Sequence, residues 1–108
     1  MEHMNLNHMS KGWFIGNFDP SLIKTDDFEV AVKYYSAGDY EAKHLHKISR
    51  EITVIVDGIA EMNGVQYKTG DIIDIKPNEA TDFRAITDVK TTVVKIPSVK
   101  NDKYLVTE

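Results

Sequence analysis

Residues 38–58 read GDYEAKHLHKISREITVIVDG. His44 and His46 stand two apart, and Glu51 follows five residues after His46. In an extended chain alternate side chains share a face, so His44 and His46 point the same way. Glu51 opens EITVIVDG, a β-prone run closed by Asp57-Gly58, a type I′ hairpin signal. A carboxylate from that next strand completes a set of two imidazoles and one carboxylate. This is the donor chemistry of a non-haem iron, manganese or zinc site. A bare His-x-His is equally met as two surface histidines on a polar loop, so the residues around it decide.

Those residues form a frame: Gly38, five residues, His44-x-His46, four residues, Glu51, six residues, Gly58. The frame resembles the first motif of the cupin superfamily at every fixed position. The resemblance implies an all-β fold, a single-domain double-stranded β-helix (a jelly-roll barrel). It also implies that His44, His46 and Glu51 hold a divalent metal ion, iron, manganese or zinc, inside the barrel. In the family a second motif adds a fourth ligand, and here that motif is degenerate. Gly70 and Asp71 open the run DIIDIK and Pro77 follows it, but Glu79 stands in the glycine position, Asp82 in the histidine position and Ile86 in the asparagine position.

Asp82 therefore has three readings. As a fourth ligand it makes a two-histidine, two-carboxylate set that favours Mn²⁺, Fe²⁺ or Zn²⁺ over copper. As a non-ligand beside an open metal position it is a candidate general base. As a structural residue it hydrogen-bonds local backbone after the proline turn. If Asp82 faces inward, alternation puts Arg84 on the same face, as a candidate clamp for an anionic substrate group. A bulge that flips the register leaves Arg84 in solvent. Tyr34, Tyr35, Tyr40 and Lys95 are further candidates for the barrel mouth, whereas Glu41 and Lys43 read as solvated.

The rest of the chain reads as short strands between turns. Residues 28–36, 51–56, 59–62, 65–68, 71–76, 81–87 and 90–96 carry the β pattern, and Asn63-Gly64 is a second type I′ signal. Residues 1–11 are polar and methionine-rich and read as a flexible arm ahead of a barrel domain over 12–108. The run GWFIGNF at 12–18 is an edge strand on its own sheet or a strand lent to a partner. Residues 22–27 read as a connector and 98–108 as a polar tail.

The 108 residues suffice for one core and not two. Thirteen basic against seventeen acidic residues give a net charge of −4, with no basic cluster, which excludes a nucleic-acid footprint. No cysteine is present, so any metal sits on nitrogen and oxygen. No apolar run reaches membrane-spanning length, and the start lacks the apolar core of a signal peptide. The expectations are a cytoplasmic location, a homodimer and a small-molecule ligand. The expected function is metal-dependent chemistry on a small polar or carbohydrate-like molecule, by proton transfer or oxygen activation. The alternative is a non-catalytic binding or sensing module.

Overall fold

Short β-prone runs interrupted by Gly, Asn, Asp and Pro give eleven strands in the computed structural model, which describes residues 1–107. They are β1 (Trp13–Gly16), β2 (Ile23–Lys24), β3 (Glu29–Tyr35), β4 (Tyr40–Leu45), β5 (Arg50–Asp57) and β6 (Ile59–Met62), followed by β7 (Val65–Lys68), β8 (Ile72–Ile75), β9 (Thr81–Ala85), β10 (Val89–Ile96) and β11 (Tyr104–Leu105). One sheet runs β2-β1-β3-β10-β5-β8 and the other β11-β4-β9-β6-β7. Every pairing is antiparallel except β1 with β2. Among the described residues no helix is long and apolar enough to cross a membrane.

The core lies between the sheets. Ile55, Ala60, Met62, Ile75, Phe83, Ala85 and Val89 form one buried cluster, with Tyr35, Tyr67 and Ile73 packed against it. These residues alternate with outward ones along each strand, which follows from the period of two.

Four sequence expectations change. Asp57-Gly58 does not close a hairpin, because β5 and β6 belong to different sheets. Gly58 sits at the crossing with φ +103°, and a Cβ there would lie 2.2 Å from the Asp88 carbonyl oxygen, so the crossing demands glycine. Asn63-Gly64, by contrast, does turn β6 into β7, with φ of 51° and 79°. Residues 12–18 follow the own-sheet reading of the two: β1 pairs with β3 and β2. The connector at 22–27 contains β2, and the polar tail contains β11, paired to β4. The arm makes a turn of 3₁₀ helix at Leu6–His8, and Ser10 bridges Trp13.

Candidate functional site

Strand alternation assembles the site in rungs across β3, β10 and β5. Tyr35 pairs with Val89, Lys33 with Thr91 and Thr91 with Ile55. Ala31, Val93 and Thr53 form the next inward rung, and Glu29, Lys95 and Glu51 the last. The opposite sheet contributes β4 and β9. A register shift between Glu41 and His44 lets both side chains face inward although they are three residues apart. Together these groups line a cavity of about 920 Å³ that includes Lys33, Tyr35, Glu41, His44, His46, Glu51 and Lys95, with Trp13 and the Leu6–Met9 segment on its rim.

The loop between the histidines and Glu51 is held by the tail. Asp102, 5% exposed, accepts hydrogen bonds from the backbone N–H groups of Lys47 (3.0 Å), Ile48 (3.1 Å) and Ser49 (2.9 Å). Burial opposes ionisation of this carboxyl, and the three N–H groups outweigh it, so its pKa lies below the ordinary value. Ser49 Oγ donates to the Pro97 carbonyl, and Asn78 N–H, in the turn after Pro77, donates to the His46 carbonyl at 2.7 Å. β11 closes over β4 with Leu105 opposite His44. The proline turn and the tail thus position the imidazoles from both sides.

His44 and His46 lie edge to face with ring centroids 5.3 Å apart. Nδ1 of His44 is 2.9 Å from the Ala42 carbonyl oxygen. A carbonyl only accepts, so Nδ1 carries the proton and a neutral ring keeps its lone pair on Nε2. His46 Nε2 meets Lys95 Nζ at 3.3 Å. Burial, and then the Lys95 ammonium, lower the His46 pKa to about 4, which leaves this ring neutral at pH 7. Lys95 also pairs with Glu29 at 3.0 Å and lies 5.1 Å from the Trp13 ring centroid. Burial raises the pKa of Glu51, and Lys95 and Lys33 oppose the rise. Burial lowers Lys33, with Glu41 and Glu51 opposing. Glu41 accepts the Tyr35 O–H, and the pull of Lys33 and of that bond overcomes burial to lower its pKa. Thr91 Oγ1 is buried with no hydrogen-bond partner among the described residues.

His44, His46 and Glu51 line one cavity, and Asp82 lines it too. Its carboxylate bonds backbone, however, and among the described residues it joins no metal-holding group. Thr81, Phe83 and Ala85 are the buried residues of β9, so Asp82 falls on the alternate face, where Oδ1 accepts Asn63 N–H at 2.7 Å. The structural reading of Asp82 is the one the geometry matches, and Thr81 takes the inward place opposite His44. Arg84 is exposed and stacks its guanidinium 4.7 Å from the ring centroid of Tyr40, itself 52% exposed. Tyr34 is 65% exposed. Glu41 corrects the solvated reading, being half-buried on the inner face. Lys33 and Asp102 escaped sequence reasoning. Lys33 was legible as a charge sharing a face with Glu29, Ala31 and Tyr35, whereas Asp102 lies in a tail with no pattern.

As arranged, these residues do not fit a metal ion. Among the described residues no three His, Asp or Glu side chains gather as a metal-holding group, and the lone-pair nitrogen of His46 is already met by an ammonium.

No protein-family model matches the chain, and no curated protein is detectably similar to it in sequence. Solved structures are. A Klebsiella pneumoniae protein with a double-stranded β-helix domain superposes with a TM-score of 0.71 at 23% identity, over 81% of this chain and 76% of that one. The DMSP lyase DddQ of Ruegeria pomeroyi gives 0.70 at 20%, over 85% of this chain and 48% of that one, so this chain spans about half of the lyase. A predicted oxalate decarboxylase from Thermotoga maritima gives 0.55 at 25%, over 65% and 64%. Two facing sheets in this strand order, superposed on these structures, identify the fold: the chain is a cupin-type double-stranded β-helix.

Proposed function

We propose that the polar end of the barrel binds a small polar molecule of carbohydrate size and offers it proton transfer between Glu51 and His44. The observation that carries this is the cavity of about 920 Å³, whose lining includes His44, His46, Glu41, Glu51, Lys33 and Lys95. That volume is in the range of small-molecule sites. Glu51, raised by burial, is a carboxyl able to hold or release a proton. His44 donates Nδ1–H to the Ala42 carbonyl, which sets its tautomer. Oxalate decarboxylase, one of the fold neighbours, is named for a small dianion, and Lys33 and Lys95 suit a carboxylate or an enolate oxygen.

The test is a thermal-shift screen of sugars, sugar acids and small dicarboxylates, followed by NMR of any stabilising ligand in D₂O. Deuterium entering a carbon-bound position with the wild type, and not with Glu51→Gln, is the expected result. Binding without exchange establishes the alternative, a non-catalytic binding module. Failure of every ligand class to bind removes the pocket reading.

One observation favours a second reading, in which His44, His46 and Glu51 hold iron, manganese or zinc. His44 donates Nδ1–H to a backbone carbonyl and presents Nε2, as metal-bound histidines do. When bound, the ion would supply Lewis acidity to a carbonyl or hydroxyl of the ligand. This reading requires Lys95 to leave His46, and elemental analysis of the purified protein tests it.

A further inference from the structure

We propose that Lys95 is a built-in cation, that its Nζ takes the place a divalent metal would need at His46, and that this cupin pocket consequently receives an oxyanion rather than a metal ion. The inference deepens the pocket reading above and rests on it for the identity of the ligand, but not for the exclusion of metal.

Position is the first argument. Lys95 is the middle residue of the innermost rung, opposite Glu51 on β5 and Glu29 on β3. Its Nζ lies 3.3 Å from His46 Nε2, the lone pair that would ligate. A metal bound to that nitrogen at ordinary ligand distance, about 2 Å, would stand against a fixed ammonium. Two like charges held that close in a partly dry site exclude one another.

Anchoring is the second argument. The lysine is not a loose surface chain that a metal would push aside: its side chain is 16% exposed. Glu29 holds it through Oε1 at 3.0 Å. Glu29 Oε2 accepts from Ser98 Oγ at 2.9 Å, and Ser98 Oγ accepts from Asn17 N–H at 3.0 Å. The Trp13 ring covers the same amine. This chain of contacts runs from β10 through β3 to the residues after Pro97 and ties the amine to the scaffold.

Donor capacity is the third. An ammonium has three N–H donors. Glu29 takes one and His46 a second. One remains for an oxygen of the ligand, with Lys33 contributing a second amine to the same cavity. Thr91, opposite Lys33 on β10 and four residues before Lys95, has its hydroxyl unpartnered among the described residues, so the same cavity wall retains a polar group for the ligand.

The experiment is a cobalt(II) titration, followed by the visible spectrum and by calorimetry, on the full chain and on Lys95→Met. Glu29→Gln/Lys95→Met accompanies them, because it removes both members of the Glu29–Lys95 ion pair together and guards against a misfolded single variant. The expected result is no stoichiometric cobalt in the wild type and one equivalent per chain in the Lys95 variants, lost again when His46→Ala is added. Stoichiometric, His46-dependent cobalt in the wild type overturns the proposal, and so does absence of cobalt from every folded variant. A wild type that takes neither cobalt nor any small polar ligand defeats the pocket reading and leaves the exclusion of metal standing.

Discussion

At one end of the barrel interior Ile55, Met62, Phe83, Ala85 and Val89 close on one another, with Tyr35 tilted over Phe83 at 4.5 Å between centroids. At the other end Glu51, Lys95, His44 and His46 face a cavity, and Glu29 is buried behind them in an ion pair with Lys95. The same strands build both. Along β5 the inward residues run Glu51, Thr53, Ile55, and along β10 they run Lys95, Val93, Thr91, Val89. Folding free energy therefore comes from one end, where apolar area leaves water. The other end pairs Glu29 with Lys95 and Glu41 with the Tyr35 hydroxyl, which limits the desolvation cost without adding much stability.

The largest expected effect follows at the apolar end. Phe83→Ala removes a buried ring and leaves a void, and a loss of about 3–5 kcal/mol is expected in urea unfolding. Glu29→Gln/Lys95→Met at the polar end replaces a buried ion pair and is expected within about 1 kcal/mol of wild type, or more stable. If the double variant loses as much as Phe83→Ala, the two ends are energetically alike and the contrast fails.

Asp102 tests how the polar end is held in place. Asp102→Ala strands three backbone N–H groups beside His46, and a loss of about 2–4 kcal/mol is expected by the same measurement. Amide exchange at Lys47, Ile48 and Ser49 should rise sharply in the variant. Unchanged protection there would show that the loop is ordered without the tail.

Acid should then resolve two groups of the polar end by pH. An unfolded histidine titrates near 6.5, whereas His46 in the fold is held at about 4 by burial and then by Lys95. The unfolded chain takes up the proton first, so stability is full above 6.5 and falls as pH drops towards 4, by up to about 3 kcal/mol. Asp102 works in a lower window: its folded pKa lies below 3.8, so its contribution is present above that value and is lost as pH falls through the folded pKa. His46→Gln should flatten the upper window and leave the lower one. An unaltered profile would mean that His46 is free to protonate in the fold.

The sequence made the first half of this legible and hid the second for physical reasons. His44, His46 and Glu51 stand on regular β pattern with glycines at both ends, so period and spacing located them. The fold was legible through the resemblance of that frame to the cupin first motif, which alternation of residues alone does not show. Gly58 was legible as a glycine but not as a sheet crossing, because a turn residue does not say whether the strands it joins will pair. Lys95 was named for the barrel mouth, but Lys33 and Glu41 carry charges, and charged residues in strands ordinarily mark the solvent face. Here that prior fails, because Glu29 and Glu41 stand across from the lysines, an arrangement that depends on register. Asp102 acts 53–55 residues away from its partners, and no local pattern reports such a contact.

The smallest effect is also the sharpest test of which face β9 turns inward. Asp82 and Thr81 are neighbours, and a register one residue different would exchange them. In the structure Thr81 is buried opposite His44, and Asp82 holds the β6–β7 turn through Asn63 N–H. Asp82→Ala should therefore cost only about 1 kcal/mol, the loss of one exposed hydrogen bond. Ligand affinity and the His44 and His46 ring resonances should not move. Thr81→Val changes the hydroxyl that lies beside the imidazole, and it should shift those resonances while leaving the turn intact. The opposite pattern, silent at Thr81 and large at Asp82, would put the carboxylate back among the imidazoles and make the second motif a working one.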